Sequence, residues 1–262
     1  MINTICKKII HNCGSKFYCS VCTKKVRKFI PLPDFYKENT EKYGFLYSFD
    51  DAETLNYSAY SCPHCNASDR NRLYALYVLQ RLKEYGANGM ALLEIAPSRP
   101  LSEMLKKTGK ITLRTADLMI DGVDDRIDIT DMNCYAEGAF DAFICSHVLE
   151  HVPDDLKALR ELFRILKPGG WGILMVPIIM TLEQIDEDPL LEDIGERWRR
   201  FGQDDHVRMY SKNGLVERTE GAGFIVRQLG QEYFGADVFE KHGISNKSIL
   251  YIVEKKNCLQ EN

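Results

Sequence analysis

A chain of 262 residues, 45% apolar and 27% charged, has room for one large domain or for a large domain with a small one attached, and its average composition excludes disordered and fibrous classes. The longest nearly uncharged apolar run, Trp171 to Met180, is ten residues, about half of a bilayer span, and the first ten residues, MINTICKKII, lack the apolar core of a signal peptide, so a cytoplasmic protein with no membrane segment is expected. The net charge of −4 is unevenly spread: residues 1–72 hold eleven Lys/Arg against seven Asp/Glu, and the remainder holds 23 against 31.

Up to about residue 67 the chain has little periodicity, and nine Phe or Tyr fall between Phe29 and Tyr60. Such a segment buries little by itself and needs a staple. A helix is predicted from an N-cap at Ser68, with Asp69 in its first turn and Leu73, Leu76 and Tyr77 following, ending near Gly86. From Ala91 strands and helices alternate: strand Ala91–Ala96, helix Leu101–Lys107, strand Ile111–Ala116, a short strand Arg126–Ile129 and strand Phe140–Cys145. There follow a helix Asp154–Leu166 with Leu156, Leu159, Leu162, Phe163 and Leu166 on one stripe, a strand Gly172–Val176 after the Pro168-Gly169-Gly170 break, helix Leu215–Ala222, and strands Phe224–Leu229 and Ser248–Val253. This alternation specifies an α/β fold, a mostly parallel, doubly wound sheet whose ligands sit at the carboxyl ends of the strands.

Cys19-x-x-Cys22 and Cys62-x-x-Cys65 form two knuckles. Two residues between thiolates let both sulfurs converge on one ion, and two pairs complete a tetrahedral, closed and therefore structural zinc site. Asn66 suits the left-handed backbone that a knuckle needs. Cys6 and Cys13 are spare ligands of less regular spacing, whereas Cys134, Cys145 and Cys258 have no partner in sequence. The expected organisation is a zinc-knuckle module over residues 1–67 and a second domain over 68–256, with 68–86 as a leading helix and 181–210 as a lid.

The strand Ala91–Ala96 runs into Pro97-Ser98-Arg99-Pro100, where a dinucleotide-binding loop would carry glycines. A pyrophosphate needs those glycines for close backbone approach, so a nicotinamide or flavin dinucleotide is disfavoured. Glu94, inside the apolar strand, requires a cation or hydrogen-bond donors.

The run FDAFICSHVLEHVPDDLKALRELFRILKPGGWGILMVPI, residues 140–178, resembles class I S-adenosylmethionine-dependent methyltransferases of the small-molecule type. LLEIAPS stands where their first motif lies, TADLMIDGVDDRIDITDM matches their second and third, and DHVRMYSKNGLVERTEGAGF their late segment. SCPHCNASDRNRLYALYV further resembles a bacterial subgroup with an N-terminal cysteine-knuckle module. The resemblance covers about residues 91–254 and implies a Rossmann-like sheet with an antiparallel last strand, S-adenosylmethionine as cofactor, and methyl transfer to a small-molecule or carbohydrate-type acceptor.

Carried over residue by residue, the resemblance places Glu94 near the cofactor's ammonium, and Ile95, Ala96, Pro97 and Ser98 at the first-motif turn. Asp117, followed by Leu118, faces the ribose; Asp128, Ile129 and Thr130 face the adenine, with Met132 packing on it; Ser146 and His147 lie beside the sulfonium. A hydroxyl acceptor needs a base that titrates near neutrality, which points to histidine. His147 and His206 are the catalytic candidates, His151 reads as structural, and Tyr210 is a further option by stacking or as a weak acid. Two alternatives remain open: an RNA methyltransferase docked through the basic module, against which the acidic second part argues, and a non-catalytic binding protein with a degenerate cofactor pocket.

Overall fold

The computed structural model describes residues 16–85 and 89–257, so Cys6, Cys13, Cys258 and the expected helix end at Gly86 lie outside the described residues. Among the described residues, β1 Phe17–Tyr18 pairs with β2 Lys25–Val26 and β8 Asp186–Glu187 with β9 Arg208–Met209, and seven further strands form the central sheet: β3 Met90–Ile95, β4 Ile111–Asp117, β5 Asp125–Arg126, β6 Phe140–Ser146, β7 Leu166–Met175, β10 Ile225–Leu229 and β11 Leu250–Glu254. Their order is β10-β11-β7-β6-β3-β4-β5. The pairs β3–β4, β3–β6, β4–β5 and β6–β7 are parallel, whereas β11 runs antiparallel to both neighbours. This is the expected mostly parallel sheet with an antiparallel last strand. The chain builds outward from β3 to β5, crosses back to β6 and continues the other way, so the topological switch point lies between the carboxyl ends of β3 and β6.

The predicted strands reappear with small shifts. The short third strand, expected at Arg126–Ile129, forms at Asp125–Arg126, and β7 begins earlier than expected, at Leu166, because a register shift between Phe140 and Ala142 absorbs the Pro-Gly-Gly break. Apolar residues on β3, β6 and β7 are buried on both faces, as a covered parallel sheet demands. Gly172 on β7 leaves the space that the Phe143 ring fills; a Cβ there would come within 2.3 Å of the ring.

Asp69–Glu84 is the helix capped by Ser68, whose hydroxyl accepts from the Asn71 amide while Asn71 reaches back to the Ser68 amide. Helix Asp155–Ile165 is capped by Asp154 through the Lys157 amide. Its stripe differs from the expected one: Ala158, Leu159, Leu162 and Ile165 are buried and Leu156 is 42% exposed. Position 156 lies on the solvent side of the 3.6-residue repeat that 158, 162 and 165 define.

The N-terminal segment does not stand apart from the sheet. Cys19, Val26, Phe29 and Cys62 belong to the same continuous apolar core as β3, β6 and β7. Arg72, fully buried, ties the pieces together: it donates to the carbonyls of Tyr60, Ala67, His242 and Gly243 at 2.6–3.1 Å and also to that of Ala59, with its guanidinium 3.8 Å over the Phe29 ring. Helix Asp34–Tyr43 packs on helix Ile194–Phe201, with Tyr43 stacked on Trp198 and Phe35 against its edge. Ala52 pairs with Ile179, the Glu53 amide donates to the Ile178 carbonyl, and the Met180 amide donates to the Asp51 carbonyl. Among the described residues, no helix is long and apolar enough to cross a membrane.

Candidate active site

The two knuckles share one local design. In each, the amide four residues after the first cysteine donates to that cysteine's carbonyl (Thr23 to Cys19, Asn66 to Cys62), and the cysteine's own amide donates to the carbonyl five residues on. Thr23 and Asn66 both take positive φ, 57° and 63°. The Sγ pairs Cys19–Cys65 and Cys22–Cys62 are 3.8 Å apart, and all four sulfurs lie within 4.8 Å of one another. A tetrahedron of sulfurs about 2.3 Å from a zinc ion has edges of about 3.8 Å, so the donor set fits that ion. The Cys62 thiol pushes its neighbour Cys19 up, and the Cys19 thiol pulls Cys62 down.

At the switch point, the turns after β3 and β6 both begin in the left-handed region, Ala96 at φ 50° and His147 at φ 58°. Ala96 thus adopts without a glycine the turn that first-motif glycines usually make. Between them opens a cavity of about 280 Å³ lined by Glu94, Ile95, Ala96, Ser98, Ser146 and His147 from the strand ends and by Tyr60, Arg70, Asn71 and Tyr74. Glu94 is 1% exposed. Its carboxylate accepts from the Ser98 amide at 3.0 Å and the Ser102 hydroxyl at 2.6 Å, and burial pushes it up, to about 6, against the pull of those donors. Ser146 and Tyr74 share a hydroxyl hydrogen bond of 2.8 Å.

A second cavity, about 200 Å³, adjoins the first and is more apolar. Tyr36, Phe45 and Phe49 come from the N-terminal segment, Val176 to Ile179 from the end of β7, and Phe201, Gln203, His206 and Met209 from the following insertion. Tyr60, Arg70 and His147 line both cavities and form the partition between them. Arg70 donates to the His147 ring and, at 3.0 Å, to the Tyr60 hydroxyl. Burial, and then the Arg70 charge, hold the His147 imidazole down, to about 4, so it is neutral at pH 7.

Behind His147, Glu150 is fully buried. His147 Nδ1 lies 3.0 Å from Glu150 Oε1 but misses hydrogen-bond direction, and neither carboxylate oxygen has a hydrogen-bond partner among the described residues. Burial opposes this charge, yet the surrounding imidazoles of His147, His206 and His151 hold the carboxyl down, to about 2. His206 is 2% exposed; its Nδ1 is 2.9 Å from the Phe201 carbonyl and its Nε2 is without a partner. Arg208, buried beneath, donates to the Leu149 carbonyl at 2.6 Å, to the Pro153 carbonyl at 2.9 Å and to the Val152 carbonyl, and so fixes the loop that carries Glu150 and His151.

The structure therefore gathers Glu94, Ile95, Ala96, Ser98, Ser146 and His147 around one cavity and His147 and His206 around the next. Pro97, Asp117, Leu118, Asp128, Ile129 and Thr130 line neither. Asp117, at the end of β4, accepts from the Met119 and Ile120 amides through Oδ1, and Asp128 accepts from the Thr130 amide. Tyr210 is not available for stacking: fully buried, it donates to Asp155 at 2.5 Å, away from the cavity. Arg70 and Tyr60 were not legible as site residues; the one signal was the basic pair Arg70 and Arg72 directly after the second knuckle.

A switched parallel sheet with an antiparallel strand beside its sixth, and a polar cavity at the switch point next to an apolar one, defines a Rossmann-like group-transfer enzyme. Residues 66–229 match the family described as "Methyltransferase domain". The chain belongs to that family and is a class I S-adenosylmethionine-dependent methyltransferase. Curated relatives are matched over part of their length. The ubiquinone biosynthesis O-methyltransferase of Thiobacillus denitrificans is 32% identical over 133 residues, 49% of this chain and 54% of that protein. The protein of the same name from Chromobacterium violaceum is 42% identical over 45 residues, 17% of this chain and 19% of that one. Similar solved structures include a SAM-dependent methyltransferase from Archaeoglobus fulgidus (TM-score 0.46, 14% identity, 72% of this chain and 95% of that one). Another is the CurJ carbon methyltransferase (TM-score 0.49, 14% identity, 71% and 54%).

Proposed function

We propose that the chain transfers a methyl group to a hydroxyl of a small, ring-bearing acceptor, with a structural zinc held by Cys19, Cys22, Cys62 and Cys65. The observation that carries this reading is the pair of cavities that meet at His147: one polar and of cofactor type, the other aromatic and closed by distant parts of the chain. The names of the curated relatives, O-methyltransferases, point the same way.

When bound, S-adenosylmethionine supplies a methyl group on a sulfonium that departs as a neutral thioether. Glu94 takes its ammonium, Arg70 its carboxylate, and the backbone of Ile95 to Ser98 cradles the methionyl half. Asp117 and Leu118 take the ribose, and Asp128, Ile129 and Thr130 the adenine. Ser146 and His147, at the junction of the two cavities, would flank the sulfonium and its methyl group. Tyr36, Phe45 and Phe49 hold the acceptor ring, His206 Nε2 is open to receive the proton of its hydroxyl, and His147, weakly basic and held by Arg70, positions the acceptor. Alignment of this kind removes about 7–11 kcal/mol from the barrier of a bimolecular displacement.

Transfer of labelled methyl from S-adenosylmethionine to a panel of phenols, catechols and sugars tests the reading. Product on a ring hydroxyl is expected, with Phe49→Asp raising the acceptor KM at least tenfold and leaving S-adenosylhomocysteine affinity within twofold. Methylation of RNA alone would contradict it. Metal analysis should find zinc at the cysteine site, with one equivalent lost in Cys62→Ser.

A further inference from the structure

Glu150, His151 and His206 form a second cluster on the wall of the aromatic cavity, separate from the four cysteines. One ligand atom from each lies within 4.8 Å of the others. Three features distinguish it from a chance meeting of polar side chains. Both Glu150 oxygens and His206 Nε2 are buried without a hydrogen-bond partner among the described residues, although an unpaired polar atom in such a place is costly. Each imidazole has its Nδ1 beside an oxygen acceptor: Asp205 Oδ2 at 3.3 Å from His151, the Phe201 carbonyl at 2.9 Å from His206. That arrangement fixes Nδ1 as the protonated nitrogen and leaves Nε2 as a lone pair, as outer-shell acceptors do for metal-bound histidines. The scaffold is also rigid, since the Val207 amide donates to the Glu150 carbonyl and Arg208 ties the 149–153 loop to the same segment.

We propose that Glu150, His151 and His206 bind a divalent first-row transition-metal cation in the acceptor cavity. Two imidazoles and one carboxylate suit manganese, iron, cobalt or zinc and leave coordination positions open. Binding itself follows from the cluster alone. Its role rests on the function proposed above: an open position takes the acceptor's hydroxyl oxygen, and the cation lowers that hydroxyl's pKa as a Lewis acid. With the cation in place the His206 lone pair is committed to it, and His206 acts as ligand, not as base.

The full chain, stripped with chelator and reloaded with zinc at the cysteine site, is titrated with Mn2+, a cation that four thiolates hold poorly, and followed by electron paramagnetic resonance and calorimetry. One Mn2+ per chain is expected, bound at least tenfold more weakly by His206→Gln and by His151→Gln. His151 is half-buried, so its variant keeps its fold even if His206→Gln does not, and far-UV circular dichroism checks both. Neither Mn2+ nor a second zinc equivalent binding, or binding indifferent to both substitutions, overturns the proposal. S-adenosylhomocysteine affinity, measured in parallel, shows separately whether the cofactor reading stands.

Discussion

The two cavities that share His147 are built in opposite ways. The polar one draws on three stretches of chain, residues 60–74, 94–101 and 144–147, and its groups are paired: Glu94 with Ser98 and Ser102, Ser146 with Tyr74. The aromatic one is assembled from residues 32–60, 147–151 and 176–209, and its buried Glu150 and His206 keep unpaired atoms. A cavity whose polar groups already hold one another in place suits a ligand common to a whole family. A cavity closed by distant segments, with polar atoms left open, suits a ligand particular to this chain.

The sharpest way to break the contrast is to remove what both cavities depend on. Arg72→Ala removes a donor shared by five carbonyls and empties the space over Phe29; urea unfolding should show a loss of at least about 4 kcal/mol. Trp198→Ala should cost somewhat less, about 3 kcal/mol, because the contacts it loses with Phe35 and Tyr43 lie on the aromatic side alone. If the cavities are separable, its S-adenosylhomocysteine affinity stays within twofold of wild type.

Glu94 gives a smaller and pH-dependent effect. Its folded pKa, about 6, exceeds the ordinary 4.5, so the native state binds the proton more tightly than the unfolded one. The stability that Glu94 contributes is therefore fully present below pH 4.5 and is lost as pH rises through 6. Glu94→Gln removes that dependence and should be more stable than wild type at pH 7.5 by up to about 2 kcal/mol, with the gain absent at pH 4. Thermal melts at the two pH values check this. Leu156→Ser, on the exposed side of its helix, should change stability by less than about 0.5 kcal/mol.

The legibility of the sequence follows the same division. The knuckles, the Ser68 cap, β3, β6 and the helix after Asp154 are announced by cysteine spacing, a capping residue and apolar patterning within a few residues. Leu156 was misplaced because a stripe of leucines outweighed Ala158, a small residue whose position on the repeat decides its burial. The path of residues 29–60 over the sheet was not legible, since it depends on pairings such as Ala52 with Ile179 and Thr54 with Ile249, far apart in the chain. Arg70 escaped for a related reason: only the fold brings it to His147. The left-handed Ala96 hides behind a residue type that rarely adopts that backbone.

We place the cofactor's methionyl end in the cavity at the ends of β3 and β6. Calorimetric titration with S-adenosylhomocysteine tests it most directly, comparing wild type, Glu94→Gln and Trp198→Ala. One site of micromolar affinity is expected, weakened at least tenfold, about 1.4 kcal/mol, by Glu94→Gln and unchanged by Trp198→Ala. Equal affinity in Glu94→Gln, or no binding by the folded wild-type chain, would contradict the account.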